Sequence, residues 1–432
     1  MAIASTSATP ASRKIHPIAL RIPGLPRARR RLAPWLGAAL LAAGCAGIPP
    51  SAPPVVPTPP AVVSPPAPSL PAAYRAVAWS ALPGWSDDPV HEAWPAVRAG
   101  CRALVASPTR QALWRNLCAA AAAVDGNDAA AARAFFESHF IPYQVVAADG
   151  RDSGLVTGYY EPLLSGSRTR SAGHPVPLYG VPDDLLTVDL AALYPELKDK
   201  RVRGRVEGRR VVPYWPRADI EAGRAPVADK ALVFVDDPVE AFFLQIQGSG
   251  RVRLDDGGTL RVGYADQNGH PYRSIGRVLI DRGELTLGET TMQGIRDWGQ
   301  RHPDKLPALL DENPSYVFFR EVPPPLPGTL DAEIDGPFGA LGVPLLAGRA
   351  IAVDTRSIPL GAPVYLATTR PLSDAPLQRL VLAQDTGGAI RGAVRADFFW
   401  GFGDDAGRQA GRMRQQGRMW MLWPKDAPLP RP

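Results

Sequence analysis

Near residue 155 the chain changes character, and that change leaves few folds open. Before it, apolar residues recur at helical spacing; after it come short β-rich runs broken by glycine and turn residues. Trp94, Val97, Cys101 and Leu104 share one helical face, as do Ala112, Leu113 and Leu117. Asn127 is placed to cap a third helix carrying Phe135 and Phe136. Strands are expected over 156–161, 210–214, 232–235, 241–247, 316–321, 349–353, 363–366, 380–384, 393–397 and 419–423. A hairpin joins 251–254 to 259–264 through the turn Asp255-Asp-Gly-Gly258. Helices are expected over 274–282, stopped by Gly283, over 291–301, and near 404–415. Many short strands with little alternation of helix suggest a mainly β chain with N-terminal helices, closed as a β-barrel rather than laid out as a Rossmann sheet.

The N-terminus reads as an address. Residues 1–44 carry seven Lys or Arg and no acid, then an apolar run over 32–43, then Gly44-Cys45. A run of a dozen apolar residues is too short to span a bilayer, which takes roughly 20, and fits an export signal. Leu41-Ala-Ala-Gly-Cys45 resembles a bacterial lipobox, in which the chain is cut before the cysteine and Cys45 is acylated. Ala46 after the cysteine, rather than Asp, favours an outer-membrane lipoprotein facing the periplasm. Residues 49–72 are mostly Pro, Ala, Ser and Val, a composition that gives an extended tether and no core. The formal net charge of +6 falls to −1 once the seven cations of the signal are set aside. No basic stripe interleaved with aromatics remains, so nucleic acid is not an expected partner. Cys101 and Cys118, on adjacent predicted helices, are either a disulfide in an oxidising compartment or two buried thiols. The six histidines are scattered, with no Cys/His cluster at metal-ligand spacing.

Three aspartates carry the candidate chemistry: Asp354, Asp385 and Asp397, each expected at a strand end. A single strand-end aspartate is usually a turn residue bonding its own backbone. Three in one small barrel point to function, because carboxyls held close together cannot all ionise cheaply, and one then keeps a proton near neutral pH as a general acid. Trp400, near the acid, either shapes a subsite or packs the barrel.

Long motifs then narrow the reading. They are Thr157-Gly-Tyr-Tyr-Glu-Pro162, Phe243-Leu-Gln-Ile-Gln-Gly-Ser-Gly250, Asp266-Gln-Asn-Gly-His-Pro-Tyr-Arg-Ser-Ile-Gly276 and Asn313-Pro-Ser-Tyr-Val-Phe-Phe319, followed by Val353-Asp-Thr-Arg-Ser-Ile-Pro359, Asp385-Thr-Gly-Gly-Ala-Ile-Arg-Gly392 and Arg395-Ala-Asp-Phe398. From about residue 154 to 423 the chain resembles the membrane-bound lytic transglycosylase A family with its C-terminal three-aspartate domain. The resemblance implies a double-psi β-barrel, a second inserted β-domain and a glycan-holding groove between them. It implies a signal over 1–44, an anchor and tether over 45–75, a helical part of the barrel domain over 76–155, an inserted domain over 156–272 and the rest of the barrel over 273–425. Asp397 would be the acid/base, with Asp385 raising its proton affinity and Asp354 holding the loop. Tyr159, Gln245, Gln247, Ser249, Tyr264, Asp266 and Tyr272 would line the glycan site. The implied partners are peptidoglycan strands and the outer membrane, with contacts to other cell-wall enzymes left open, and the implied chemistry needs no cofactor or metal.

Other readings compete less well. Asp385-Thr-Gly is the aspartic-protease triplet, but the nearest second copy, Asp354-Thr-Arg, lacks the glycine. An inverting glycan hydrolase on the same barrel would leave free reducing ends, and an inactive glycan-binding module would bind without turnover. The glycine-rich 336–342 lacks the Lys-Ser/Thr of a phosphate-binding loop. Replacing Cys45 by Ala is expected to release the protein from membranes on fractionation; an unchanged membrane fraction would refute the lipid anchor.

Overall fold

The computed structural model describes residues 73–194, 197, 202–371 and 373–430; the expected signal and most of the tether lie outside these residues. Strand β1 (Ala73–Ala76) leads into three helices, α1 (Trp94–Ala106), α2 (Gln111–Ala122) and α3 (Ala129–His139), and then β2 (Phe140–Val146) and β3 (Gly154–Glu161). Asp128, not Asn127, caps α3, its carboxylate accepting from the amides of Ala130 and Ala131. Asn127 is one residue too early because its own amide closes a turn onto Asp125. Cys101 on α1 and Cys118 on α2 are joined by a disulfide.

The chain then builds a second lobe. Its strands are β4 (Leu163–Ser167), β5 (Val176–Tyr179), the small β6 (Leu186–Val188), β7 (Val202–Glu207) and β8 (Arg210–Val212), and, after α4 (Arg217–Glu221), β9 (Ala231–Val235). Helix α5 (Pro238–Gln247), β10 (Ser249–Leu254), β11 (Thr259–Gln267), helices α6 (Ile275–Asp281), α7 (Met292–Arg301) and α8 (Leu306–Asp311), and β12 (Val317–Glu321) complete it. The six-stranded order is β12-β11-β10-β4-β9-β5. This lobe starts after β3 and reaches Glu321, beyond the boundary at 272 expected from the sequence.

The run 241–247, expected as a strand, is helix α5. Asp237 caps it by accepting from Val239 and Glu240, Pro238 fits its first turn, and Gly248 ends it in the left-handed region at φ 81°. The helix is apolar on two sides because Ala241 and Leu244 face the sheet while Val239 and Phe242 face α6, α7 and α8. Without a polar stripe, a short apolar run gives no helical period to detect.

The chain returns to the barrel through β13 (Ala350–Val353), β14 (Pro363–Thr369), β15 (Pro376–Asp385), β16 (Ala396–Phe402), α9 (Gly403–Ala410) and β17 (Arg414–Pro424). Pairings run β3 to β17, β17 to β14, β14 to β15, β15 to β13, β13 to β16 and β16 back to β3. That is a closed ring of six strands. The long β17 makes closure possible: residues 414–417 pair with β3, while 420–424 pair with β2, which carries β1. Two expected elements shift. Residue 414 already belongs to β17, so α9 ends at Ala410, and Pro213, which has no amide hydrogen, follows the end of β8.

One core joins the barrel to the helices on its flank, with Trp94, Trp114, Phe135, Phe136 and Phe140 meeting Met419, Met421 and Trp423. A buried ion pair ties the segment before α1 to the barrel. Arg349 donates to both oxygens of Asp88 at 2.9 and 3.1 Å, and the Leu380 amide donates to Asp88 at 2.6 Å. Both side chains are almost fully enclosed. Removing one partner of such a pair leaves the other buried and uncompensated, so Arg349→Met is expected to lower unfolding stability by about 3–5 kcal/mol. Denaturant titration measures this; a change within experimental error would contradict the role given to the pair.

Candidate active site

Central strand β13 sets the spacing of the acids. Ala352 pairs with Asp385 of β15 on one side and with Asp397 of β16 on the other. Two strand spacings put the backbones of the two aspartates roughly 10 Å apart, across one strand. Asp397 lies near the start of β16 rather than ending a strand over 393–397. Pairing is delayed because the loop before it is pinned elsewhere: the Gly392 amide donates to Asp354 at 2.8 Å. At Gly392 φ is 118°, a conformation side-chain-bearing residues rarely adopt.

Asp397 faces Thr157 across the parallel pair of β16 with β3. The Thr157 hydroxyl donates to Asp397 Oδ1 at 2.5 Å and accepts from Arg395 Nη2 at 2.9 Å. Burial pushes the Asp397 carboxyl above the usual carboxylate range, while the Thr157 hydrogen bond and the Arg395 charge pull the other way. Burial also raises Asp385, against donors from the Ala340 amide (3.0 Å) and the Tyr159 hydroxyl (3.1 Å), and the charge of Asp397 adds to the rise. Burial lifts both acids, and repulsion from Asp397 adds to the rise at Asp385.

Asp354 does different work. Burial would raise it, but Arg356 holds it with two guanidinium bonds at 3.0 and 2.7 Å, and with the amides of Gly392 and Arg356 the net effect lowers it. It is an ionised anchor for the loop between Asp385 and Asp397. Thr386, at the start of that loop, bonds the Val353 carbonyl.

The residues expected to bind glycan fall into two groups. Tyr159 belongs with the acids: its hydroxyl serves Asp385 and its ring packs on Phe399. The others belong to the second lobe. Gln245 is buried and accepts from Arg217, a structural commitment. Gln247 accepts from the Tyr160 amide and so bridges the lobes. Asp266 pairs with Arg203. Ser249 is half-buried at the start of β10. Tyr264 and Tyr272 are exposed. Trp400 packs between Phe398, Met413 and α9. Thr157 and Arg395 were not singled out from sequence. Their role depends on strand register, and only Arg395, two residues from Asp397 on one side of the chain, left a local signal.

An acid that is half-buried, raised by desolvation and hydrogen-bonded on one oxygen suits proton donation to an oxygen placed beside it. Residues 155–320 match the family described as MltA specific insert domain, and residues 349–423 match the 3D domain. Membrane-bound lytic murein transglycosylase A of Escherichia coli strain K12 is 34% identical over 301 residues, covering 66% of this chain and 69% of that protein. The crystal structure of MltA from Neisseria gonorrhoeae in its monoclinic form is 40% identical with a TM-score of 0.72, covering 84% of this chain and 95% of that one. The E. coli MltA structure with bound chitohexaose is 28% identical with a TM-score of 0.61, covering 83% and 96%.

The Thr157 hydroxyl favours the ionised form of Asp397, so Thr157→Val is expected to move the Asp397 titration midpoint to higher pH. Carbon-13 NMR of the carboxyl reads this directly; a midpoint that stays or falls would contradict the assigned hydrogen bond.

Proposed function

The chain belongs to the membrane-bound lytic murein transglycosylase A family, and on that premise we propose that Asp397 is its single acid/base. The protein is a peptidoglycan lytic transglycosylase. In our reading, protonated Asp397 donates its proton to the glycosidic oxygen between MurNAc and GlcNAc. The resulting carboxylate takes the proton from the MurNAc C6 hydroxyl, whose oxygen bonds to C1 as the old C1–O bond breaks. The product is a 1,6-anhydro end, and no water is consumed. Hydrolases generally need two carboxyls, one as acid and one as base or nucleophile.

The observation that carries this reading is the setting of Asp397 between strands, where desolvation raises its carboxyl above the usual carboxylate range and so favours the protonated form more than water does. Thr157, itself held by Arg395, binds one oxygen of Asp397, which leaves the other for substrate. Asp385, bonded to Tyr159, is a second raised acid across β13 from the first, and Asp354 keeps the intervening loop in place.

The six-stranded ring, with its two parallel and four antiparallel pairings, is read as a double-psi barrel, with the lobe from β4 to β12 as the inserted glycan-binding domain. The glycan then lies in a groove between them, reached by Tyr159 from the barrel and by Gln247, Ser249, Tyr264, Asp266 and Tyr272 from the lobe. The chitohexaose held by the related E. coli structure supports a chain of amino sugars as the ligand. Acylation of Cys45 would hold the enzyme on the outer membrane, facing the periplasm.

Asp397→Asn keeps the shape of the side chain but neither gives nor takes a proton. Turnover of sacculi should fall by at least about 100-fold, with sacculus binding largely kept. Near-normal release of muropeptides by this variant would remove Asp397 from the mechanism.

A further inference from the structure

The chain crosses between barrel and second lobe twice. The outward crossing is a single residue, Pro162, between Glu161 of β3 and Leu163 of β4. The return runs from Glu321 of β12 to Ala350 of β13. Both crossings meet at Arg251, a residue of β10 in the second sheet.

Arg251 sits opposite Leu163, and its amide bonds the Pro162 carbonyl at 2.8 Å. Its guanidinium is buried and makes four hydrogen bonds. Nε and Nη2 donate to Glu161 Oε2 at 2.9 and 2.8 Å; Nη1 and Nη2 donate to the two oxygens of Asp335 at 3.0 and 2.9 Å. The Phe402 ring lies 4.0 Å from it, and Phe402 pairs with Glu161 across β16 and β3.

All three of these partners are fixed to the barrel side. Glu161 is the last residue of β3, and Phe402 the last of β16. Asp335 follows Ile334, which is buried in the barrel core, and the turn before it is tied to α1 by Arg98 with Glu333 and Arg102 with Asp331. A second arginine of the lobe, Arg261, also donates to Asp335. A cleft lined by Arg251, Leu260, Arg261, Val322 and Pro323 opens on the lobe side of the cluster. A planar, always-charged guanidinium can grip two carboxylates and an aromatic face at once, which a lysine ammonium cannot.

We propose that Arg251 is a positioning residue: seated in a barrel socket of Glu161, Asp335 and Phe402, it fixes the angle at which the second lobe presents its side of the glycan groove. This rests on the reading that one glycan chain lies against both lobes. The clamp acts on how the substrate is held, not on the proton transfer at Asp397. Beside the clamp, the neighbouring residue Tyr160 gives two further ties to the lobe, its amide to Gln247 and its hydroxyl to the Met292 sulfur, so the clamp sets the angle together with them.

Asp335→Asn tests this without stranding a buried charge, because Arg251 keeps Glu161. With the fold intact by melting temperature, KM for purified glycan strands is expected to rise about two- to fivefold, the scale of one partly exposed ion pair, with kcat nearly unchanged. Arg251→Lys, which keeps the charge but loses the fork, should shift KM the same way. Hydrogen exchange across residues 322–349 should quicken in Asp335→Asn, a readout independent of turnover. Unchanged KM, a loss confined to kcat, or unchanged exchange would each overturn the clamp. Wild-type protein that released no anhydro-ended fragments would instead overturn the proposed reaction, and with it any role in positioning glycan.

Discussion

The parallel pairing of β16 with β3 is the constraint on which the site depends. It closes the barrel, and in closing it sets Asp397 directly opposite Thr157. The acid is thereby set between strands 240 residues apart in the sequence. Enclosure raises the carboxyl, and the single hydroxyl bond orients it without fully restoring the charge-stabilising shell it had in water. A surface aspartate with the same neighbours in sequence would be ionised and useless as an acid at neutral pH.

The three aspartates that look equivalent in sequence are divided by their surroundings. Asp354, the most buried, is gripped by Arg356 and amides and held low; Asp385 and Asp397 are half-buried with few positive partners, and desolvation raises them. Charge is favoured where it holds the loop and disfavoured where the proposed reaction would move a proton. The second lobe adds a division of labour at larger scale. Asp397 and its supports belong to the barrel, while most candidate glycan contacts belong to the lobe, joined by one single-residue crossing and one long return.

Much of this was legible in the sequence, for reasons that are physical. Strong local signals survived: the helix expected over 291–301, found as α7, Gly283 after α6, and the Asp-Asp-Gly-Gly turn between β10 and β11. The acids could be picked out because each stands beside an apolar strand. What failed was whatever depends on distant chain. Helix α5 hides its period because it is buried on two faces. The start of β16 moved because Asp354 holds Gly392, a contact 38 residues away. Gln245, expected to touch glycan, is committed to the buried Arg217, and Thr157 was overlooked because nothing local marks the register that makes it a partner of Asp397.

The central claim is that the sugar's own C6 hydroxyl, not water, completes the reaction begun by the Asp397 proton. Digestion of sacculi in water enriched in oxygen-18, followed by mass spectrometry of the released muropeptides, tests it most directly. The account predicts unlabelled 1,6-anhydro ends. Reducing ends that carry the heavy oxygen would show that solvent is the nucleophile and contradict it.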